Sequence, residues 1–175
     1  MPEYSFTVVI DGDVDARLDD LFDAGCGDAT FGAVDGVHYG DFDRTAPTFS
    51  QAITSALVAI ESVEGLRIVR VEPDDLVTVA DIAERMDRTR ESVRLLIAGA
   101  RGPGGFPAPV SRLRTRNRLW RWSDVAVWAK LGATSGADAR LIAAVNAALE
   151  LRRVVTELPE DERSFVTSLE HAQAS

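Results

Sequence analysis

The stretch TVADIAERMDRTRESVRLLIAGA, residues 78–100, decides how this chain is organised. Thr78, with Asp81 three residues later, has the form of a capping box. Val79, Ile82, Ala83 and Met86 then recur at i, i+3, i+4 and i+7, the spacing of one buried helical stripe. Asp87 and Arg88 interrupt the pattern, and Thr89 is placed to cap a second helix. There Val93, Leu96, Ile97 and Ala100 repeat the spacing. So short a connection predicts two helices that cross steeply, the helix-turn-helix geometry.

With those four residues inward, a helical wheel turns Arg88, Glu91 and Leu95 outward and sets Ser92 and Arg94 on the flanks. Arg90 falls nearer the buried edge, at the helix start, where phosphates are commonly held. Gly102-Pro103-Gly104-Gly105 cannot continue a helix. Arg112, Arg114, Arg116, Arg118 and Arg121 follow within ten residues, and no acid lies between Val110 and Trp122. Solvated surfaces mix both signs of charge, so this run points to phosphate. Trp120, Trp122 and Trp128 are expected in the core, with Ser123 capping a third helix that carries Val125, Trp128 and Ala129.

The segment resembles the winged helix-turn-helix of excisionases and AlpA-type prophage regulators, within the wider MerR-like group. Ile82-Ala83-Glu84-Arg85 and Ser92-Val93-Arg94 carry the likeness in the two helices. Gly105-Phe106-Pro107-Ala108-Pro109-Val110 and Leu119-Trp120-Arg121-Trp122-Ser123-Asp124-Val125 with Trp128 carry it beyond them. The resemblance covers about a third of the chain. It implies a second helix in the DNA major groove and a hairpin wing against the backbone or minor groove. By position it makes Arg90, Ser92 and Arg94 groove contacts and Arg112, Arg114, Arg116 and Arg118 wing contacts. Arg88, Thr89, Glu91 and Arg121 border them and complete the expected DNA-binding set. Sequence fixes the phase of the helix only to within one position. Small excisionases lack the large flanking segments of this chain, so a recombination role does not follow.

A formal net charge of −9 argues against DNA until it is divided along the chain. Residues 1–75 hold 4 basic and 16 acidic residues, residues 76–132 hold 11 and 5, and residues 133–175 hold 4 and 7. The middle third is thus basic between acidic neighbours, and the local footprint governs affinity for phosphate.

The flanks predict an α+β chain. In residues 1–73, Tyr4, Phe6, Val8 and Ile10 alternate as in a half-buried strand. Val14, Leu18, Leu21 and Phe22 keep helical spacing, and Asp35-Gly36 marks a two-residue hairpin. Thr48 with Gln51 opens an amphipathic helix through Ile60, and Leu66 to Val71 closes the unit as a strand. The order βαββαβ predicts a ferredoxin-like module. Glu72-Pro73-Asp74-Asp75 is the expected boundary to the winged helix-turn-helix of residues 76–132. After a loop at residues 132–136, residues 133–175 read as a C-terminal helical hairpin. Its Leu141, Ile142, Val145 and Leu149, with Phe165 and Leu169, predict a homodimer interface.

An apolar content of 46% with 27% charged residues describes an ordinary globular chain. The absence of a span-length apolar run predicts no membrane partner and a cytoplasmic, nucleoid-associated location. One cysteine, Cys26, excludes an internal disulfide. His38 and His171 are far apart, and Asp11-Gly12-Asp13-Val14-Asp15 lacks the later Gly and Glu of a calcium loop, so no metal or other cofactor is expected. No nucleophile, base and orienting group are clustered, which predicts a protein that is not an enzyme. The expected partner is double-stranded DNA, read by a transcriptional regulator. Two other readings stay open: an antitoxin-like interaction module whose acidic N-terminal part meets a basic protein partner, and a regulator whose N-terminal part senses a small molecule.

Overall fold

A computed structural model describes residues 1–131 and 133–171, except for the side chains of residues 133–135, 170 and 171. The chain is mixed α+β. Alternating apolar residues make strands β1 (Glu3–Asp11), β2 (Ala29–Val34), β3 (Val37–Thr45) and β4 (Arg67–Glu72). They form one sheet in the order β2-β3-β1-β4, each neighbouring pair antiparallel. Asp35 and Gly36, with φ of 52° and 80°, join β2 to β3, the backbone that a primed two-residue hairpin needs.

Helices α1 (Leu18–Asp23) and α2 (Phe49–Glu61) connect the strands. Phe6, Val8, Ile10 and Phe42 meet Leu21, Ile53 and Ile60 in one core. Along β1 and β3 the other sheet face carries Ser5, Thr7, Asp41 and Asp43. There the Ser5 hydroxyl donates to Asp43 at 2.7 Å and that of Thr7 to Asp41 at 2.6 Å. Gly12 (φ 117°) passes so close to Gly65 that an added Cβ would lie 2.4 Å from the Gly65 carbonyl oxygen.

The inward side of β3 carries a cation that periodicity gives no hint of. Arg44 is 7% exposed and pairs with both carboxylate oxygens of Asp28, at 2.7 Å each. It also donates to the Gly25 carbonyl at the end of α1 and to Ser55 on α2. Its partners are thus complete, as a buried charge requires. Cys26 is buried beside it, and burial raises the thiol's pKa.

After the cis Glu72-Pro73 bond, the two residues of β5 (Leu76–Val77) pair with β6 (Trp120–Arg121) and lead into the central helices. A second core forms there from Val77, Ile82, Val93, Trp120, Trp122 and Val125.

The long helix α6 (Ala133–Val155) joins the two cores. Ala139 enters the central core, while Ile142, Leu141, Val145 and Leu149 pack on the N-terminal one. Asn146 completes the junction. Its side chain accepts from the Val71 backbone N–H at 2.7 Å and donates to the Val71 carbonyl at 2.8 Å, closing the free edge of β4. Two expectations change. Residues 133–136 are helical rather than a loop, since Gly136 is buried against α5 (Trp122–Trp128). A Cβ there would lie 3.4 Å from the Ser123 carbonyl oxygen, so this glycine serves close packing and not a break. And four of the six apolar residues expected to hold a second copy, Leu141, Ile142, Val145 and Leu149, are packed within the chain, while Phe165 and Leu169 are exposed.

Candidate nucleic-acid interface

Helix α3 (Val79–Arg85) begins as its sequence predicts. The Thr78 hydroxyl oxygen accepts from the Ala80 and Asp81 N–H groups, and the Asp81 carboxylate accepts from the Thr78 N–H at 2.7 Å. Its end is set by Asp87, at φ 49°. The Asp87 N–H reaches the Glu84 carbonyl at 3.0 Å and the Arg88 N–H reaches that of Ala83 at 2.8 Å, the paired bonds of a Schellman motif. Thr89 then caps α4 (Arg90–Ile97) by accepting from the Ser92 N–H at 3.1 Å.

Helix α4 buries Val93 and Leu96 and stops sooner than its apolar spacing predicts. Gly99, at φ 69°, forms the same motif, with bonds from Gly99 N–H to Leu96 and from Ala100 N–H to Leu95. Ala100 therefore leaves the helix and is exposed. The phase also differs from the wheel. Arg90, Glu91 and Arg94 are exposed while Ser92 and Leu95 are half-buried, so Arg90 lies on the outward face rather than at the buried edge. Arg88 and Thr89 are exposed in the turn before it. Arg94 approaches Glu91 at 3.4 Å, an exposed pair of little energetic weight.

Beyond α4 the chain is held by indoles. Trp128 donates to the Gly104 carbonyl at 2.8 Å and Trp120 to that of Pro107 at 3.1 Å, while Phe106 packs edge-on to Trp128. Trp120 and Trp122 are buried and Trp128 half-buried, each contributing a few kcal/mol by burial. The resulting hairpin closes through two hydrogen bonds between Ser111 and Leu119. Its loop presents Arg112, Arg114, Arg116 and Arg118, all exposed, with Arg121 exposed at its base. Among the described residues none of these five has a carboxylate within ion-pair distance, nor do Arg88 and Arg90. Arg85 is different in kind: it stacks on Trp122, donates to the Asp74 carbonyl, and is half-buried.

The hairpin's base is fixed by a residue that the sequence assigns only to the boundary between units. Asp75 is 3% exposed. Its carbonyl accepts from the Trp122 N–H at 2.7 Å, and its carboxylate accepts from the N–H and hydroxyl of Ser123. Helix α5 thus starts at Trp122 and is capped from a distant segment, so Ser123 is not its cap.

Arg101 and Lys130, absent from the expected set, line one cleft of about 340 Å³ with Arg88, Leu96 and Trp128. Arg101 and Lys130 follow the C-terminal ends of α4 and α5, where a cation offsets the negative end of the helix dipole. That accounts for both without a ligand. No family model, no curated protein and no solved structure matches the chain.

Proposed function

We propose that this chain is a sequence-specific regulator of transcription that binds double-stranded DNA through a winged helix-turn-helix of excisionase-like, MerR-like type. In this reading α4 enters the major groove and offers Arg90, Ser92 and Arg94, with Arg88, Thr89 and Glu91 at its entry. The Ser111–Leu119 hairpin is the wing, and its arginines meet the sugar-phosphate backbone or the minor groove. One observation carries the reading: Arg112, Arg114, Arg116, Arg118 and Arg121 are exposed, without carboxylate partners among the described residues, on a hairpin anchored by buried tryptophan. Such a cluster neutralises phosphates and releases their counterions. The N-terminal unit, in the same proposal, is a ferredoxin-like module; its strand order and two intervening helices support that assignment.

The test is a titration of the full chain with duplex DNA at several salt concentrations, using a site selected from random sequence and a scrambled duplex. Salt-dependent binding to both, tighter on the selected site, is expected. Absence of binding to either at 50 mM salt sinks the proposal.

A second reading takes its support from the uncovered sheet face, where Asp41 and Asp43 are exposed beside Ser5. There the chain is an antitoxin-like module for a basic protein partner, and DNA binding serves autoregulation. Recovery of a stoichiometric basic partner with the tagged chain, lost on replacing both aspartates by Asn, separates the two.

A further inference from the structure

Three helices of the central unit end at one cleft, and each end is followed by a cation. Arg88 comes after α3, Arg101 after α4, and Lys130 closes α5. The cleft they line holds about 340 Å³, within the range of ligand clefts of about 300–1,000 Å³. No acidic residue lines it. Among the described residues none of the three cations has a carboxylate within ion-pair distance. The apolar wall is Leu96, which is buried, with Met86 and Trp128 half-buried. The Trp128 indole donates to the Gly104 carbonyl at 2.8 Å, which ties the rim that follows Arg101 to α5.

Helix ends account for Arg101 and Lys130 taken singly, but not for the sum. A helix dipole amounts to about half a negative charge at the C-terminal end, and to less in helices this short. Three cations against three such ends leave at least about +1.5 at the cleft. Arg88, moreover, stands directly ahead of the Thr89 cap, where the positive end of α4 disfavours a cation. Solvated surfaces mix both signs of charge; here one sign remains, beside an apolar wall.

We propose that this cleft binds a phosphate group carried on a sugar. A phosphate monoester brings about −1.5 to −2 charges at pH 7 and three acceptor oxygens, enough to engage all three cations. Guanidinium groups suit paired bonds to such oxygens, and two of the three cations are arginines. A lone carboxylate would satisfy one arginine and leave the other cations as they are. The carbon face of the sugar packs against Trp128 and Met86. The chemistry is shared by a free sugar phosphate and by the backbone of a duplex, and only the second source rests on the proposed function. Neither Arg101 nor Lys130 belongs to the DNA-binding set expected from sequence, so replacing them leaves α4 and the wing intact.

The experiment titrates the full chain with deoxyribose 5-phosphate, with deoxyribose as the uncharged control, and separately with selected and scrambled duplexes at several salt concentrations. Arg101→Gln and Lys130→Gln each remove one charge from the cleft. Arg140→Gln removes an exposed charge from α6, outside the cleft, and reports the effect of net charge alone. Saturable binding of the sugar phosphate, read by tryptophan fluorescence, should weaken about tenfold in each cleft variant, for the charge-assisted hydrogen bonds lost. That result supports the proposal with a free ligand. Equal losses on both duplexes, with the salt slope smaller by about 0.9 in the cleft variants alone, support it with the DNA backbone as the source. If one cleft variant does not fold, the other carries the comparison. Folded cleft variants that bind both probes as Arg140→Gln does overturn the proposal. Should the wild type bind no duplex, the proposed function fails, and the sugar phosphate still decides this site: no saturable binding there overturns it.

Discussion

The carboxylate of Asp75 receives two hydrogen bonds from Ser123, one from its backbone N–H at 2.7 Å and one from its hydroxyl at 3.1 Å. Both residues are buried. The joint after the sheet thereby holds the first turn of α5, and with it the base of the arginine hairpin.

Asp75→Ala should cost on the order of 2–4 kcal/mol, because it removes a helix cap and leaves two buried donors without partners. Asp75→Asn keeps an acceptor and should recover much of that loss. Urea unfolding of the three proteins measures both effects. A loss below about 0.5 kcal/mol for Asp75→Ala would mean that the cap does not hold α5.

Asn146→Leu should destabilise by about 1–3 kcal/mol, since the Val71 N–H and carbonyl lose their partner while the volume is kept. Native-state hydrogen exchange gives a local readout. The Val71 amide should exchange faster in the variant, and unchanged protection there would contradict the edge closure.

The Arg44–Asp28 pair makes acid stability predictable in sign. The Arg44 guanidinium hydrogen-bonded to Asp28 holds that carboxyl below the ordinary range. A carboxyl whose folded pKa is depressed stabilises fully above its unfolded value of about 3.9 and loses this as pH falls through the folded value. Asp28→Asn should therefore be destabilised at pH 7 and fall closer to wild type below pH 3. Equal stability deficits at both pH values, by urea unfolding, would rule out the linkage.

Lys130 sits at φ 55° after α5, where its N–H bonds the Val127 carbonyl and the Leu131 N–H bonds that of Ala126. This is the position glycine fills without a steric cost. Lys130→Gly is expected to raise stability by only about 0.3 kcal/mol, net of the greater freedom glycine gives the unfolded chain and of the cation lost from the negative end of α5. Thermal unfolding checks it, and a lowered midpoint would assign the lysine a contact of its own.

On DNA, each wing arginine that neutralises a phosphate should contribute about 0.9 to the slope of log affinity against log salt. Arg114→Ala is expected to weaken all duplexes alike and flatten that slope. Arg90→Ala or Arg94→Ala, where the side chain meets a base, should cost on the order of 1–3 kcal/mol on the selected site alone. The same loss on selected and scrambled duplexes would move the helix arginines to the backbone-contacting class.

Local chemistry made much of the fold legible. Thr78 with Asp81, Thr89 before α4 and the Asp35-Gly36 turn act over three residues or fewer, and each does what its residue type permits. Helix ends were harder to read. Ala100 matched the apolar spacing, but Gly99 supplied the left-handed residue that stops α4, and spacing carries no record of φ. The contacts least visible were those between distant segments. Asp75 with Ser123, Asn146 with the Val71 backbone and Arg44 with Asp28 place Asp75, Ser123, Asn146 and Arg44 in buried or half-buried positions, where composition predicts solvent. In the candidate interface the arginine run was readable because acids are missing from it. Which helix side chains face outward depended on a phase that only packing of Val93 and Leu96 decides.

The placing of α6 has a consequence for biosynthesis. Strand β4 is complete once Glu72 has been made, yet the residues that cover it follow only after the entire central unit. At typical translation speeds Asn146 and Leu149 arrive on the order of several seconds later. Through that interval the nascent chain carries an unpaired strand edge at Val71 and an uncovered apolar patch, both templates for wrong pairing. Cells that make this protein quickly have that edge to guard until Asn146 emerges from the ribosome.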